Sequence, residues 1–166
     1  MNTSDILTLY EYNYWANHQI LSACSRVSPQ QFMLLTSHSF GSLRGTLAHT
    51  LDGERAWRML CQHNTLAFFD ALHEQDFPSF SDLDQFWREE ELAMRDYLAQ
   101  LSDADLAGYI YYTTPEGNKR ERLLWHCLLH LANHGTQHRS EAAAILTDYA
   151  CSPGELDFTA FLNDRH

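Results

Sequence analysis

Apolar residues recur at helical spacing along four long stretches of the chain. The first stretch begins at Thr3 or Ser4, either of which is suited to cap a helix, and ends near Arg26. Its apolar positions are Ile6, Tyr10, Tyr14, Leu21 and Cys24. The segment Ser28–Gln31 then has a capping-box pattern with proline at the first helical position, so we predict a short helical connection that ends before Ser37.

The second and third stretches are separated by a long aperiodic segment. Gly41 and Ser42 precede a helix that reaches about Gln62, and its inner side carries Leu43, Leu47, Leu51, Trp57 and Cys61. Residues 63–80 are polar and aromatic and include a proline, which favours a crossover connection over a tight turn. Residues 81–84 open the third helix, which ends at Ser102 and whose inner residues are Leu83, Trp87, Met94, Leu98 and Leu101.

A β-prone run precedes the fourth long helix. Residues 108–121 combine this run with the turn-forming sequence at 115–118, which predicts a small β-hairpin. The fourth helix then runs from about Arg120 to Tyr149, and residues 152–154 stop it. Its inner residues are Leu124, Leu128, Leu131, Ala142 and Ile145. The whole pattern predicts an all-α four-helix bundle in one domain over residues 1–166, with a long crossover between helices two and three.

Composition narrows the classes of partner. The formal net charge is -11, from 22 acidic and 11 basic residues, and Lys119 is the only lysine. Because nucleic acids and anionic membrane surfaces attract clustered basic residues, neither is an expected partner, and we expect a small-molecule substrate instead. The first residues lack a signal-peptide pattern, and no apolar run reaches transmembrane length. Four cysteines without a Cys-x-x-Cys motif suit reduced thiols, so we expect a cytoplasmic protein.

The histidines are distributed far from randomly. Of ten histidines, four stand at successive i, i+4 positions of the fourth predicted helix: His126, His130, His134 and His138. Random placement of ten histidines gives about half a pair at this spacing in the whole chain, whereas this helix has three. Side chains four residues apart share a helix face, so two imidazoles can converge on one metal ion.

The four-histidine column cannot act as one ligand set. Each step of four residues rotates the side chain by about 40° around the helix, so only one adjacent pair can reach a given ion. Spacing does not choose the pair. His134 and His138 lie among small and polar residues suited to a pocket, whereas His126 and His130 lie among Trp125 and several leucines, where packing or an indirect hydrogen bond is the simpler role.

Several motifs resemble the DinB/YfiT-like family of four-helix-bundle metalloproteins. They are the NHGTQHR run at 133–139, the YWAN run at 14–17, and Leu47–His49 with Trp57 in the second helix. The resemblance spans nearly the whole chain and includes the small-residue segment after His138. It implies that the metal ligands are His49, His134 and His138. One departure is Ser140 and Glu141, where the family often has glycine and glutamine.

Three imidazoles without a fourth protein ligand form an open metal site, which is typical of catalytic centres. Imidazole binds several first-row divalent ions, so zinc and nickel both remain candidates. Relatives that the resemblance implies include thiol-dependent S-transferases and isomerases as well as hydrolases. We therefore expect a metal-dependent transferase or hydrolase, with a low-molecular-weight thiol as a candidate cofactor. The alternative is a non-catalytic, stress-inducible metal-binding or interaction protein.

Residues near the proposed ligands have less specific roles. Gly53 and Ala56 lie one and two turns after His49, and as small residues they would let a second helix or an ion approach closely. Asp52, Glu54 and Glu141 are candidates for orienting an imidazole rather than for general-base catalysis. Tyr14 and Trp57 are candidates for the pocket wall or for packing. The family resemblance also implies a homodimer.

Overall fold

The structure, a computed structural model, describes residues 1–65, 69–114 and 116–164. Within these ranges the chain is mainly helical with one two-stranded antiparallel hairpin, which confirms the predicted all-α fold. In chain order the elements are α1 (Thr3–Cys24), α2 (Pro29–Met33), α3 (Leu43–His63), a 3-10 turn (Glu74–Asp76), α4 (Phe80–Leu98), α5 (Asp103–Leu106), β1 (Tyr109–Thr113), β2 (Lys119–Leu123), α6 (Leu124–Asp148) and α7 (Phe158–Asp164).

The long helices α1, α3, α4 and α6 form the bundle. Around the bundle α1 packs on α6, α6 on α3, α3 on α4, and α4 on α1. Two apolar clusters fill its two ends. One contains Leu47, Leu83 and Ile145, and the other contains Tyr10, Leu60, Met94 and Leu128. The apolar stripes predicted from periodicity are therefore the interior of the bundle.

The members of these clusters also give the direction of each helix. The start of α3 and the start of α4 lie in one cluster, and the ends of both helices lie in the other. Helices α3 and α4 therefore run parallel, while α1 and α6 run in the opposite direction. Because α3 and α4 are parallel neighbours, the chain between them must return along the length of a helix, which is about 28 Å. Residues 64–79 are long enough for this connection, since their extended reach is about 50 Å. The predicted crossover is confirmed.

Caps at the helix starts follow the sequence with small shifts. Asn2, rather than Thr3 or Ser4, caps α1 through its side chain and forms a capping box with Asp5. Ser28 caps α2 in the predicted capping box with Gln31, and Ser42 caps α3. Helix α4 begins at Phe80 with Ser79 as its cap, one residue before the predicted segment.

Two predicted boundaries were wrong because a second element uses the same residues. The third long helix ends at Leu98 rather than at Ser102, since Ser102 caps the separate short helix α5. The fourth begins at Leu124 rather than at Arg120, because residues 119–123 pair with β1 as the second strand of the hairpin. Of the predicted turn, Pro115 lies outside the described residues, and Gly117 adopts a φ of 84°.

A short C-terminal helix packs against the first helix. Phe161 of α7 is buried with Tyr12 and Ala16 of α1. The Tyr12 hydroxyl donates to the Leu156 carbonyl at 2.9 Å, and the Trp15 indole donates to Asp164 at 3.2 Å. Residues after α6 thus fold back onto the bundle.

Candidate metal centre

Antiparallel packing of α3 against α6 brings three histidines together. His49 lies in the first half of α3, and His134 and His138 lie one turn apart on α6. One ring nitrogen from each residue lies within 4.8 Å of the other two. The Nε2 atoms of His134 and His138 are 3.1 Å apart. These three residues, which the family resemblance implies as ligands, form a group that could hold a metal ion.

The nitrogen spacing fits a small divalent ion. Two imidazole nitrogens at normal bond lengths on one tetrahedral ion lie about 3.3 Å apart, close to the observed separation. Two ring atoms, Nδ1 of His134 and Nδ1 of His138, are buried without a hydrogen-bond partner. Either a hydrogen bond between the two Nε2 atoms or an ion bound to both leaves these Nδ1 atoms unpaired, so the fit to an ion rests on the spacing of the ring nitrogens.

Gly53 makes room for His134. A Cβ atom placed on Gly53 would lie 2.7 Å from Cε1 and 3.1 Å from Nδ1 of His134. The first separation is shorter than real Cβ contacts and the second is tighter than most of them, so the imidazole occupies the space that a side chain would need. The predicted role of Gly53 in close approach is confirmed, and its partner is an imidazole of α6.

An aromatic ring and an acidic cleft border the centre. Phe40 stacks on His49 with ring centroids 3.9 Å apart and meets His138 edge-on at 5.2 Å. A cleft of about 280 Å³ opens beside His49 between α3 and the crossover, and its wall includes Asp52 and Glu74. The Asp52 carboxylate accepts a hydrogen bond from the Leu72 backbone N–H at 2.7 Å, so it ties the crossover to α3. This cleft gives a small molecule a route to His49.

The electrostatic environment keeps two of these imidazoles neutral. Burial, together with the neighbouring His138 and His49, lowers the pKa of His134 from 6.5 to about 4. Burial and His138 also lower the pKa of His49. A neutral imidazole has the lone pair that a metal requires, so the ligating state is favoured at neutral pH.

Glu141 lies near His138 on the same helix. Its Oε2 atom lies 3.8 Å from Nδ1 of His138, and its Oε1 atom accepts the backbone N–H of Ser39 at 2.8 Å. A carboxylate on the far side of an imidazole fixes the ring and favours the tautomer whose Nε2 faces the ion. Glu141 is thus near His138, but the structure gives it no direct hydrogen bond to the ring.

A buried polar network lies under the centre. Glu54, next to Gly53, accepts hydrogen bonds from the amides of Asn13 and Asn17 at 3.0 and 2.9 Å. Arg139, next to His138, donates to the carbonyl oxygens of the same amides, at 2.5 Å to Asn13 and 2.8 Å to Asn17. The two asparagines of α1 therefore link a carboxylate of α3 to a guanidinium of α6. Burial raises the pKa of Glu54 above its usual value.

Sequence reasoning did not identify this network. Asn17 and Arg139 both lie inside motifs that carried the family resemblance. The sequence signal that could have revealed the network is the presence of these polar residues beside the apolar positions of their helices. The partners are separated by up to 126 residues, so their pairing depends on the packing of three helices. Glu54 is buried, and its Oε1 atom accepts both amide hydrogen bonds, which fits a supporting role and not that of a base exposed to substrate.

The other two histidines of the column lie outside the centre. His126 and His130 are exposed, and they pack on Trp125 at 4.0 Å and on Trp57 at 4.8 Å respectively, measured between ring centroids. Tyr14 is buried in the bundle, where Arg95 lies over its ring at 4.1 Å. Trp57 is half-buried between α3 and the hairpin. Both aromatic residues pack, and neither borders the three-histidine group.

None of the helices among the described residues combines the length and apolar character needed to cross a membrane.

Comparison with known proteins agrees with the motifs. The chain is 26% identical over 160 residues to the protein DinB of Bacillus subtilis (strain 168). This match covers 93% of this chain and 92% of that protein. The model of the DinB family matches residues 1–164. Since that match covers almost the whole chain, the protein belongs to the DinB family.

Proposed function

We propose that this protein binds one divalent metal ion through His49, His134 and His138 and uses it as a metal-dependent enzyme. The observation that carries the proposal is the convergence of three imidazoles, two of them with lowered pKa values, next to an open cleft. Zinc and nickel both suit an all-imidazole donor set. A bound divalent ion would supply Lewis acidity, which lowers the pKa of water or of a thiol and polarises an electrophile.

The residues around the ligands fit this role. Glu141 lies 3.8 Å from Nδ1 of His138, Gly53 gives His134 its space, and Phe40 shields His49 and His138 on one side. Asp52 and Glu74 line the remaining approach, where a substrate would lie. Three protein ligands leave a coordination position for that substrate or for a small thiol. The expected reactions are thiol transfer to an electrophile or hydrolysis.

The metal site can be tested by elemental analysis of the purified protein. We expect about one ion per chain, and substitution of His49→Ala or His138→Ala should remove it. His126→Ala is the matched control, because it deletes an imidazole from the same column but outside the centre. Equal metal content in the control and in the two ligand variants would contradict the site.

Activity requires a separate test. Zinc- and nickel-loaded protein should be incubated with small thiols and electrophilic substrates, and in parallel with panels of esters and amides. Turnover should require the metal and should be lost in His138→Ala. Turnover that persists in the metal-free protein would refute a metal-dependent mechanism while leaving the metal site itself intact.

The alternative is a stress-inducible metal-binding or interaction protein without catalysis. The buried network of Glu54 and Arg139 favours a rigid scaffold, which either role would need. A protein of this second kind would bind one ion and show no metal-dependent turnover in any panel. A homodimer and a cytoplasmic location remain predictions, and sedimentation of the metal-loaded protein would test the first.

A further inference from the structure

A second cleft lies at the exposed half of the histidine column. It has a volume of about 390 Å³ and lies between α3, the hairpin and the first turns of α6. Its lining consists of Trp57, Tyr112, Arg122, His126, Cys127 and His130. A cleft of this size can hold a small molecule.

The wall of this cleft is aromatic. Trp57 meets Tyr112 edge-on with ring centroids 6.1 Å apart and meets His130 at 4.8 Å. Trp57 and Tyr112 are half-buried, and the thiol-bearing Cys127 is buried at the floor. Half-buried aromatic rings at a cleft offer a flat apolar surface to a ring of similar size.

The rim of the cleft carries hydrogen-bond donors and a permanent positive charge. Arg122 is exposed, and its contact with the Glu121 carbonyl at 2.8 Å uses one of five guanidinium N–H donors. His126 and His130 add two exposed imidazoles. The first turn of α6 begins here and has no side-chain cap, which adds partial positive charge.

This lining contrasts with the charge of the rest of the molecule. Three other clefts among the described residues each contain carboxylates: Asp52 and Glu74 in one, Asp148 in the second, and Asp76, Asp82 and Glu89 in the third. The described lining of the Arg122 cleft contains none. In a chain with a net charge of -11, a cleft that combines an arginine with two imidazoles is a local site for an anion.

We propose that this cleft binds a small ligand with an aromatic body and an anionic group, either a carboxylate or a phosphate. The ring lies against Trp57 and Tyr112, and the anion meets Arg122 and His126. His130 connects the cleft to the metal centre, since its ring centroid is 6.0 Å from that of His134. If the metal centre is catalytic, the cleft anchors the part of the substrate that is remote from the reacting bond. That extension rests on the proposed function, whereas binding itself does not.

The test is a titration of the metal-free full chain with benzoate, followed by NMR. We expect saturable shifts in the ring signals of His126, His130 and Trp57. Benzamide has the same shape without the charge and should bind about tenfold more weakly, and phenyl phosphate should compete with benzoate. Absence of saturable binding by both benzoate and phenyl phosphate, or equal affinity for benzoate and benzamide, would overturn the proposal.

Two basic residues of the same strand, Arg122 and Lys119, provide a matched pair of variants. Arg122→Gln should weaken benzoate about tenfold and change benzamide little, because it removes the charge and keeps a polar side chain. Lys119→Gln removes an equal charge from β2 at a position outside the lining and on the other face of the strand, and it should leave affinity unchanged. Equal weakening by the two variants would show a general charge effect and refute the site. Because all measurements use metal-free protein, their failure is distinguishable from failure of the metal centre.

Discussion

The two halves of the histidine column have the same sequence spacing but differ in burial and in the residues that they contact. His134 and His138 are directed into the bundle and meet His49, whereas His126 and His130 are exposed at a cleft. The difference comes from α3, which runs antiparallel to α6. Gly53 of α3 faces His134 of α6. One turn later on α3, Trp57 contacts His130, which lies one turn earlier on α6. A glycine admits one imidazole, and a tryptophan keeps the other at the surface.

The largest expected difference between the halves is in metal affinity. His134→Ala should lower it by at least about a hundredfold, because removal of a ligand costs more than removal of a group that merely orients one. His130→Ala deletes the adjacent imidazole and should change affinity by less than about threefold. Competition with a chromophoric chelator measures both values. Similar losses in the two variants would mean that the column binds metal as a whole.

The next prediction concerns Gly53, whose lack of a side chain leaves space for the His134 ring. Gly53→Ala places a methyl group where the His134 ring lies, so metal affinity should fall about tenfold, and the free energy of unfolding should fall by about 1–3 kcal/mol. Ala56→Gly on the same helix should cost about 1 kcal/mol through helix propensity and leave metal affinity unchanged. Calorimetric titration with chemical denaturation separates the two effects. Full metal affinity in Gly53→Ala would show that the ring has room to move.

The buried network lies beside the half of the column that joins the three-histidine group. Glu54→Gln leaves the buried Arg139 without its opposite charge, so we expect the free energy of unfolding to fall by about 2 kcal/mol. Metal affinity should fall by only a few fold, since the ligands themselves remain. Glu89→Gln, an exposed change on α4, is the control in urea denaturation. A stability equal to that of the wild type would mean that the network contributes no net energy.

The pH dependence of the metal-free protein should also differ between the two halves of the histidine column. The folded state holds the pKa of His134 at about 4, below the 6.5 of an ordinary histidine. The unfolded chain therefore binds a proton first as the pH falls, and the contribution to stability is lost between pH 6.5 and 4. Glu54, with its raised pKa, acts in the opposite direction. The melting temperature of His134→Ala should consequently decline less over this interval than that of the wild type, while His126→Ala should follow the wild type.

Periodicity was sufficient to predict the long helices. The crossover was predicted from the absence of a period, and the hairpin from a β-prone run followed by turn residues. Periodicity was insufficient for α5 and α7, which have four and seven residues and so contain at most two turns of apolar pattern. Boundaries were wrong at Ser102 and Arg120 because a cap or a strand pairing there competes with continuation of the helix. Local sequence specifies an element well where many residues repeat the same signal, or where a cap or turn motif is distinctive, as it is at Ser28 before α2.

Only part of the candidate site could be predicted from the sequence, because part of it depends on how distant segments pack. The spacing of the column predicted chelation, but the choice of His134 and His138 depends on which α3 residues face them, and the register between the two helices is not encoded locally. The resemblance supplied His49. Asn13, which joins Glu54 to Arg139, lies far from both partners in the chain and was not singled out by any pattern.

The candidate centre is built from two parts of the fold, the bundle helices and the crossover. Residues Leu72–Gln75 of the crossover form one wall of the cleft beside His49, whereas all three histidines lie on bundle helices. Substitutions or changes of length in this connection would reshape the approach to the histidines without moving them. A library confined to residues 73–75 is therefore the natural starting point for changing what enters the cleft, because these residues line it, whereas Phe77 is buried in the core and is left unchanged.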